Sequence, residues 1–526
     1  MNERLAQISS IARRAVQQQD WKTVQTCSQE ILRQDSASPE GYFLTGLVMK
    51  ASNRPVKASE AFATALELDA DRYDAAIELA DQHSIARRNG DAAKLLFRYE
   101  GALGNSPLYL DKAGTVYSDI GMPERAWPLY KKANELQPRV DLFQANLAAC
   151  SVYIGEIEVA RKIYKRLLER FPTHQRNHYH LARLERARNT KHIEQMREVL
   201  RSTNMQPDKN IFIYYAIGKE YEDLEEWEEA FRFYKMGGDA VASVANYDVK
   251  ADLQLIDKII AVCNGDWLAA GASEASSDER HKTPIFVVGL PRSGTTLIER
   301  ILASHSHVES VGETEFVQMV LRRESGIGTT EKMNPAIVEA AAKKKINLLS
   351  EGYLSAVHYR LGDKPWFVDK LPFNYLFLGF IAKAYPNAPI ICLKRNPMDA
   401  CFAMYKQLFT WAYKFSYTLD ELAQYYLAYH RLFNHWRDVL GDRLIEVEYE
   451  KLVAGQEVQT RSLIRRVGLD FEDACLNFDQ NKTPSTTASS VQVRERIHTR
   501  SVNRWTYFEK HLQPLKATLE NAGIAL

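Results

Sequence analysis

The chain has 526 residues, too many for one hydrophobic core, and this length indicates two or more domains. A formal net charge of +1 leaves no excess of basic residues to neutralise phosphates, so we expect no nucleic-acid partner. Six cysteines without a C-x-x-C pair argue against a disulfide framework or a zinc site and fit a reducing compartment. The N-terminal stretch has no apolar signal segment, and no apolar run approaches the roughly 18 residues that span a membrane, so we expect a cytoplasmic protein.

Residues from about 5 to 245 repeat with a period of 34. The clearest unit, residues 107–140, has Gly114 at its eighth position and Tyr130 at its twenty-fourth. Small and aromatic residues recur at these two positions in other units: Gly46 and Phe62, Ala148 and Tyr164, Gly218 and Tyr234. The pattern resembles the tetratricopeptide repeat, in which small residues let paired helices approach and aromatic residues fill the gap. We therefore expect an all-α solenoid of six or seven units within residues 1–270.

Repeat arrays of this kind present a concave face that commonly holds a peptide or another protein. We expect the repeats to recruit a protein or peptide, while a spacer and a dimerisation surface stay open as alternatives, as does the oligomeric state. Residues 249–269 are expected to form one last amphipathic helix. Residues 271–282, with the sequence GASEASSDERHK, are small, polar and charged, which is typical of a linker.

The second predicted domain, residues 283–526, opens with a strand, a glycine loop and a helix. Residues 285–288 are apolar, residues 289–294 read GLPRSG, and residues 295–302 have helical periodicity. This order presents backbone N–H groups and a helix N-terminus to an anion. Thr295 stands where a nucleotide-binding P-loop has lysine, and the cation is instead Arg292, whose planar fork suits a phosphate or sulfate. An ordinary turn that happens to contain these residues is the alternative.

A second short strand, residues 308–311, is followed by Gly312-Glu313-Thr314. This position is beyond the carboxyl end of a strand, where open parallel sheets place their ligands. A carboxylate there could take the proton of an incoming hydroxyl group. The alternative is that Glu313 caps the helix that follows.

The sequence PRSGTT at 291–296, together with the Gly312-Glu313-Thr314 element, resembles sulfotransferases. The similarity is closest to the tyrosylprotein sulfotransferase-like group and extends over about residues 283–515. It implies a P-loop-like α/β domain with a parallel sheet that uses the donor PAPS (3′-phosphoadenosine 5′-phosphosulfate). It also implies that Glu313 is the general base and that the loop holds the 5′-phosphosulfate through Arg292, Ser293, Gly294, Thr295 and Thr296. Glu315 replaces an arginine that holds acidic peptides in that group, which argues against the same substrate preference here.

Two interpretations compete at the third strand, residues 366–368, which is followed by Asp369-Lys370. Asp369 after an apolar strand is typical of a magnesium ligand in an ATP-binding site. The resemblance instead implies that Lys370 lies beside the bridging oxygen of the donor. Between the second and third strands, residues 335–357 are expected to form one long helix.

A fourth strand at 388–393 precedes Arg395, and a fifth at 443–449 ends in Tyr449. The resemblance implies that Arg395 holds the donor's 3′-phosphate, although Ala403 replaces the serine that normally assists it. A structural ion pair between Arg395 and Asp399 is the alternative. For Tyr449, packing on the adenine and an ordinary buried tyrosine at a strand end are equally open.

The C-terminal segment contains Ser489 and Arg504 among other polar and basic residues. In the resembled family this segment folds back over the donor, which makes Ser489 the catalytic-site serine and places Arg504 on the 3′-phosphate. A basic surface loop is the alternative.

Together these features predict a multidomain protein in which a tetratricopeptide-repeat solenoid (1–270) and a linker (271–282) precede a sulfotransferase domain (283–526). The expected reaction transfers a sulfuryl group from PAPS to a hydroxyl acceptor, for example a tyrosine of a protein or peptide recruited by the repeats, without a metal. Two rival functions stay open. One is a P-loop kinase or NTPase that uses ATP and Mg²⁺, and the other is a non-catalytic repeat scaffold with a vestigial nucleotide-binding domain.

Overall fold

A computed structural model describes residues 3–204, 206–270, 282–328, 333–410, 412–487 and 489–526. The chain divides into two compact units, Met1–Ile154 and Gly155–Leu526. Across these described stretches, no helix is long and apolar enough to cross a membrane. The predicted linker falls outside them except for Lys282, and the predicted division into 1–270, 271–282 and 283–526 stays a prediction.

The first unit is built from helices that follow one another at a regular interval. Four of them begin at Pro39, Tyr73, Pro107 and Asp141, each 34 residues after the one before. The predicted period is therefore confirmed as a period of helix starts. The helices are α1 Glu3–Gln17, α2 Trp21–Gln34, α3 Pro39–Ala51, α4 Pro55–Leu68, α5 Tyr73–Ile85, α6 Asn89–Tyr99, α7 Pro107–Asp119, α8 Pro123–Leu136 and α9 Asp141–Ile154.

Glycine and aromatic residues at the predicted repeat positions pack directly against each other. A Cβ atom added to Gly46 of α3 would lie 2.4 Å from the ring of Phe62 in α4, and one added to Gly114 would lie 3.0 Å from the ring of Tyr130. Both rings are buried, so each aromatic side chain fills the space that the glycine leaves. The close approach of each helix pair thus depends on the absence of a side chain at one position.

The second unit begins with further helices of the repeat region. These are α10 Ile157–Arg170, α11 Gln175–Leu184, α12 Lys191–Ser202, α13 Ile211–Asp223, α14 Trp227–Ala245, α15 Val249–Val262 and α16 Gly265–Ala269. The single helix predicted over 249–269 is wrong, because α15 ends at Val262. The Asn264 side chain accepts a hydrogen bond from the Trp267 amide at 2.9 Å and so caps a new helix.

A five-stranded parallel sheet forms the centre of the rest of this unit. Its strands are β1 Thr283–Gly289, β2 Val308–Gly312, β3 Trp366–Lys370, β4 Ile390–Lys394 and β5 Leu444–Glu448. They are ordered β2-β3-β1-β4-β5, and all neighbours run parallel. Side chains of β1 alternate between two cores, with Phe286 in one and Val287 in the other, as expected for a sheet covered on both faces. The predicted α/β fold is confirmed.

Helices pack on both faces of this sheet. They are α17 Thr295–Ala303, α18 Phe316–Ser325, α19 Pro335–Ala342, α20 Asn347–Val357, α21 Leu378–Ala384, α22 Pro397–Tyr405, α23 Leu419–Leu440, α24 Tyr449–Ala454, α25 Gln456–Val467 and α26 Glu509–Asn521. The one long helix predicted over 335–357 is wrong, since it is divided into α19 and α20. The break frees the carbonyl of Ala342, which accepts a hydrogen bond from the Trp267 indole at 3.0 Å.

The sheet order fixes where a ligand can bind. From β1 the chain continues to β2 and β3 on one side of the sheet and then to β4 and β5 on the other. Connections therefore leave β1 and β4 in opposite directions, which opens a crevice at their carboxyl ends. The glycine loop follows β1 and Arg395 follows β4, so both border this crevice.

The close approach of α3 and α4 generates a stability prediction. In Gly46→Ala, the Phe62 ring must move to admit the new methyl group, which destabilises the fold, whereas alanine favours the helix more than glycine does. We expect the net effect to be a decrease of about 1–2 kcal/mol in the free energy of unfolding. Urea unfolding of the full chain, followed by circular dichroism, measures this change.

Gly90→Ala is the matched control for this measurement. Gly90 also lies in a helix, α6, and a Cβ atom there would have nothing within 4 Å. This variant is expected to be as stable as the wild type or more stable by up to about 1 kcal/mol. Equal stability of the two alanine variants would contradict the proposed role of the Gly46–Phe62 contact.

Candidate functional site

The glycine loop between β1 and α17 has a backbone that requires its glycines. Gly289 has φ +146° and Gly294, at the N-cap of α17, has φ +106°, both in the region that disfavours other residues. A Cβ atom at Gly294 would lie 2.6 Å from the Tyr449 ring. The loop side chains Ser293, Thr295 and Thr296 are buried. The turn therefore faces the crevice with amide groups and short hydroxyl side chains, as a site for an anion needs.

Arg292 joins this loop to the C-terminal segment. Its guanidinium donates hydrogen bonds to the hydroxyl of Ser489 and to the side-chain oxygen of Gln492, the latter at 2.7 Å. Burial lowers the pKa of Arg292, and the nearby charges of Arg183 and Arg395 lower it further, to about 10. The guanidinium is still positively charged at neutral pH. Arg292 and Ser489, predicted as site residues, are thus brought together, while Gln492 was missed.

Arg395 lies beside the same loop at the end of β4. It donates hydrogen bonds to the carbonyl of Arg292 at 2.7 Å and to the carbonyl of Ser501 at 2.5 Å. Its guanidinium also lies 4.9 Å from the centre of the Tyr449 ring. Arg395 and Tyr449 are therefore in contact with each other and with the loop.

Asp399 does not form the ion pair with Arg395 that was considered as an alternative. Its carboxylate accepts hydrogen bonds from the amides of Asn503 at 2.6 Å and Trp505 at 3.0 Å. Asp399 therefore anchors the C-terminal segment against α22. This segment is held in place by specific contacts and does not extend as a free surface loop.

Lys370 and Glu313 form an ion pair at the carboxyl ends of β3 and β2. A second carboxylate, Glu299 of α17, lies 3.5 Å from the Lys370 ammonium group. Burial disfavours the charged form of Lys370, but the carboxylates of Glu313 and Glu299 have the larger effect. The pKa of Lys370 is therefore raised above its ordinary value. Lys370 is fully buried, whereas the Glu313 side chain is 33% exposed and can meet a second substrate. Glu299 was missed because nothing in the sequence distinguishes it from a surface residue of the helix.

The capping role considered for Glu313 does not fit its position. The next helix, α18, begins at Phe316 with Glu315 at its N-cap, and its start has no side-chain capping hydrogen bond. The carboxylate of Glu313 contacts Lys370 instead.

Asp369 is enclosed by hydroxyl groups of neighbouring residues. Its carboxylate is fully buried and accepts hydrogen bonds from the hydroxyl groups of Thr314 at 2.6 Å and Tyr353 at 2.8 Å. Burial raises the pKa of Asp369 to about 7. A magnesium ligand needs an ionised, accessible carboxylate, so these surroundings do not fit the kinase alternative. No metal-ligating group of three or more His, Cys, Asp or Glu side chains occurs in the part of the chain that the structure describes.

Arg504 and Lys406 meet a carboxylate from the repeat region. The Arg504 Nε atom lies 3.2 Å from Glu222 of α13, and its guanidinium lies 4.6 Å from the Trp227 ring centre. The Lys406 ammonium group donates a hydrogen bond to the same Glu222 oxygen at 2.5 Å. Sequence reasoning found Arg504 but missed Lys406 and Glu222, because their pairing links parts of the chain that no motif connects.

Comparison with known proteins finds similarity in the sheet-containing part of the chain. Residues 284–473 match the sequence profile of the Sulfotransferase family. Protein-tyrosine sulfotransferase 1 of Danio rerio is 24% identical over 231 residues, which are 42% of this chain and 65% of that protein. An uncharacterized protein of Aquifex aeolicus (strain VF5) is 28% identical over 374 residues, which are 70% of this chain and 48% of that protein. The matches thus span about half to two thirds of these relatives' own length.

Two solved structures resemble separate parts of the chain. The sulfotransferase domain of the Synechococcus PCC 7002 olefin synthase covers 47% of this chain and 98% of its own length, with 18% identity and a TM-score of 0.32. YrrB, a TPR protein with an unusual peptide-binding site, covers 36% of this chain and 96% of its own length, with 17% identity and a TM-score of 0.30. The family match and the repeat pattern together support an architecture in which a region similar to tetratricopeptide-repeat proteins precedes a sulfotransferase-like domain.

Proposed function

We propose that this chain transfers a sulfuryl group from PAPS to a hydroxyl acceptor and releases adenosine 3′,5′-bisphosphate (PAP). The observation that carries the proposal is the ion pair between Lys370 and Glu313 at the carboxyl ends of β3 and β2. The same edge of the sheet has a glycine loop that contains an arginine and no P-loop lysine. A carboxylate beside an exposed space can accept a proton, and a buried ammonium group can stabilise a leaving oxygen. Both groups are therefore placed for transfer between two oxygen atoms.

The residues around the loop fit an anionic donor. The Ser293 hydroxyl and the Arg395 Nε atom are buried, and neither has a hydrogen-bond partner among the described residues. A buried polar atom without a partner costs free energy, which a phosphate or sulfate oxygen would recover. In the proposal, Arg292, Ser293, Gly294, Thr295 and Thr296 hold the 5′-phosphosulfate.

Three further residues are assigned to the 3′-phosphate and the adenine of PAPS, which are farther from the sulfuryl group. Arg395 and Arg504 hold the 3′-phosphate, and Tyr449 borders the adenine. These assignments follow the resemblance to sulfotransferases and the contacts of Arg395 and Tyr449 with the loop. Arg504 forms an ion pair with Glu222, and Lys406 pairs with the same carboxylate.

The transfer step follows from the Lys370–Glu313 pair. Glu313 accepts the proton of the acceptor hydroxyl while the acceptor oxygen forms a bond to sulfur, and the bond from sulfur to the 5′-phosphate oxygen breaks. Protonation of Glu313 removes one of the two carboxylates that neutralise Lys370, so the ammonium group can stabilise the charge on the leaving oxygen. The hydroxyl of Ser489, held by Arg292, is assigned to the same oxygen. The side chains supply the positive charge that the step needs.

Aromatic side chains near Glu313 favour an acceptor with a flat ring. Tyr413 lies 4.9 Å from Phe373 and 4.8 Å from Phe409 between ring centres. Burial raises the pKa of Tyr413, and the charges of Glu313 and Glu315 raise it further. A tyrosine of a protein or peptide is the acceptor we propose, and recruitment of that acceptor is the role we propose for the repeats.

Ligand binding tests the donor. PAP at about 100 times its Kd should stabilise the wild type by about 2.7 kcal/mol, and Arg292→Ala should lose this effect because the loop loses its cation. Thermal unfolding with PAP or with ATP·Mg²⁺ measures it. Arg465→Ala, which removes an exposed arginine in the last turn of α25, should keep the wild-type response. Stabilisation by ATP·Mg²⁺ alone would favour a kinase, and stabilisation by neither ligand would favour a non-catalytic scaffold.

Substitution of the proposed base tests the chemistry. Glu313→Gln keeps the size of the side chain but cannot accept a proton, so we expect kcat to fall by about 10²–10⁴-fold with an unchanged Kd for PAP. Release of PAP from PAPS, in the presence of a tyrosine peptide or p-nitrophenol, measures kcat. Glu324→Gln in α18 is the control and should keep full activity. A Glu313→Gln variant with wild-type kcat would refute the assignment of the base.

Removal of the first unit tests acceptor recruitment. Deletion of residues 1–154 takes away α1 to α9 and leaves Glu222 and the sheet in one compact unit. If the repeats recruit the acceptor, KM for a protein acceptor should rise by about tenfold or more, which corresponds to a loss of about 1.4 kcal/mol of binding. KM for p-nitrophenol and Kd for PAP should not change. Unchanged values of these two constants would show that the remaining unit is folded. An unchanged KM for the protein acceptor would contradict this role.

A further inference from the structure

Glu222 is a buried carboxylate that connects three distant parts of the chain. It lies in α13 of the repeat region and is 8% exposed. Its oxygens accept hydrogen bonds from the hydroxyl of Tyr234 at 2.8 Å, from Lys406 at 2.5 Å and from Arg504 at 3.2 Å. Lys406 follows α22 and Arg504 precedes α26, so one repeat residue holds two cations of the sulfotransferase domain.

These two cations belong to the surroundings of the glycine loop. Arg504 follows Ser501 by three residues, and the Ser501 carbonyl accepts a hydrogen bond from Arg395, which also contacts the carbonyl of Arg292 in the loop. Burial lowers the pKa of Lys406; Glu222 opposes this shift, and the charges of Arg504 and Arg292 add to it. The Lys406 ammonium group is therefore within electrostatic reach of the loop arginine. Without its carboxylate partner, a lysine in this position would lose its proton at a lower pH.

A second residue of the repeat region also approaches the loop. Arg183 of α11 is near enough to Arg292 to lower its pKa. Next to it, Tyr179 accepts a hydrogen bond from the side chain of Gln407 at 3.3 Å. Helices α11 and α13 thus both face the loop side of the sulfotransferase domain.

We infer that Glu222 is a positioning residue for donor binding, which holds Lys406 and Arg504 as charged groups beside the anion bound at the glycine loop. The inference rests on the proposed function, because PAPS is the anion concerned. It gives the repeat region a role inside the sulfotransferase site, in addition to any role in acceptor recruitment. Glu222 acts through Lys406 and Arg504 and does not itself touch the donor.

Calorimetric titration with PAP tests this inference on the full chain. Glu222→Gln should bind PAP at least tenfold more weakly than the wild type at pH 9 and should recover much of this loss at pH 7. The reason is that, without Glu222, burial and the charges of Arg504 and Arg292 lower the pKa of Lys406 unopposed, so Lys406 loses its proton more readily at the higher pH and must regain it when the phosphate binds. Titrations in two buffers of different ionisation enthalpy should therefore show extra proton uptake by this variant.

Glu220→Gln is the matched control. Glu220 lies on the same helix and is also buried, but its carboxylate contacts His192 and neither Lys406 nor Arg504. This variant should bind PAP like the wild type at both pH values. The double variant Glu222→Gln with Lys406→Arg should lose the pH dependence, because an arginine keeps its charge.

Four results would overturn the inference. If the wild type binds PAP and Glu222→Gln binds it equally well without extra proton uptake, Glu222 has no part in donor binding. If Glu222→Gln binds PAP more tightly, the carboxylate competes with the donor for the two cations. If the wild type itself does not bind PAP, the proposed function fails, and the inference fails with it. Should Glu222→Gln not fold, Glu222→Asp keeps the charge but shortens the reach, and wild-type affinity in that variant would also be contrary to the inference.

Discussion

Crowding of positive charge around one glycine loop is the constraint on which the site depends. Arg292, Arg395 and Lys406 are partly buried, and Arg395 and Lys406 are each near enough to Arg292 for the like charges to repel each other. Each of them is held by an acceptor from another part of the chain: a serine hydroxyl, backbone carbonyls or the Glu222 carboxylate. The fold thus assembles cations that an anion of high charge can bind, and it supplies acceptors that hold them in place before that anion arrives.

Two sets of functional groups lie at the carboxyl edge of the sheet. On the β1 and β4 side, arginines and loop amides gather, which suits recognition of phosphate and sulfate groups. On the β2 and β3 side, Lys370 is held between Glu313 and Glu299, which suits proton transfer and stabilisation of a leaving oxygen. Because all strands are parallel, their carboxyl ends meet at one edge, and the two sets of groups adjoin there without further loops.

Local sequence predicted the parts of the site that depend on neighbouring residues. The strand, glycine loop and helix at 283–303 have the predicted geometry, because glycine spacing and apolar runs act over a few residues. The division of 335–357 into two helices was not predicted, and the Ala342 carbonyl at the end of the first helix accepts a hydrogen bond from Trp267, 75 residues away, which no local pattern indicates. Glu222 could not be predicted as a partner of Arg504 either, since 282 residues separate them and no motif contains both.

The distance along the chain between Arg292 and Ser489 has a consequence for synthesis. These residues are 197 positions apart, so at about 5–20 residues per second the ribosome makes Ser489 about 10–40 s after Arg292. The repeat helices and the first four strands leave the ribosome within or before this interval. During this interval Arg292 therefore lacks its hydroxyl partner, and the contact forms only when the C-terminal segment, which Asp399 anchors, has been made.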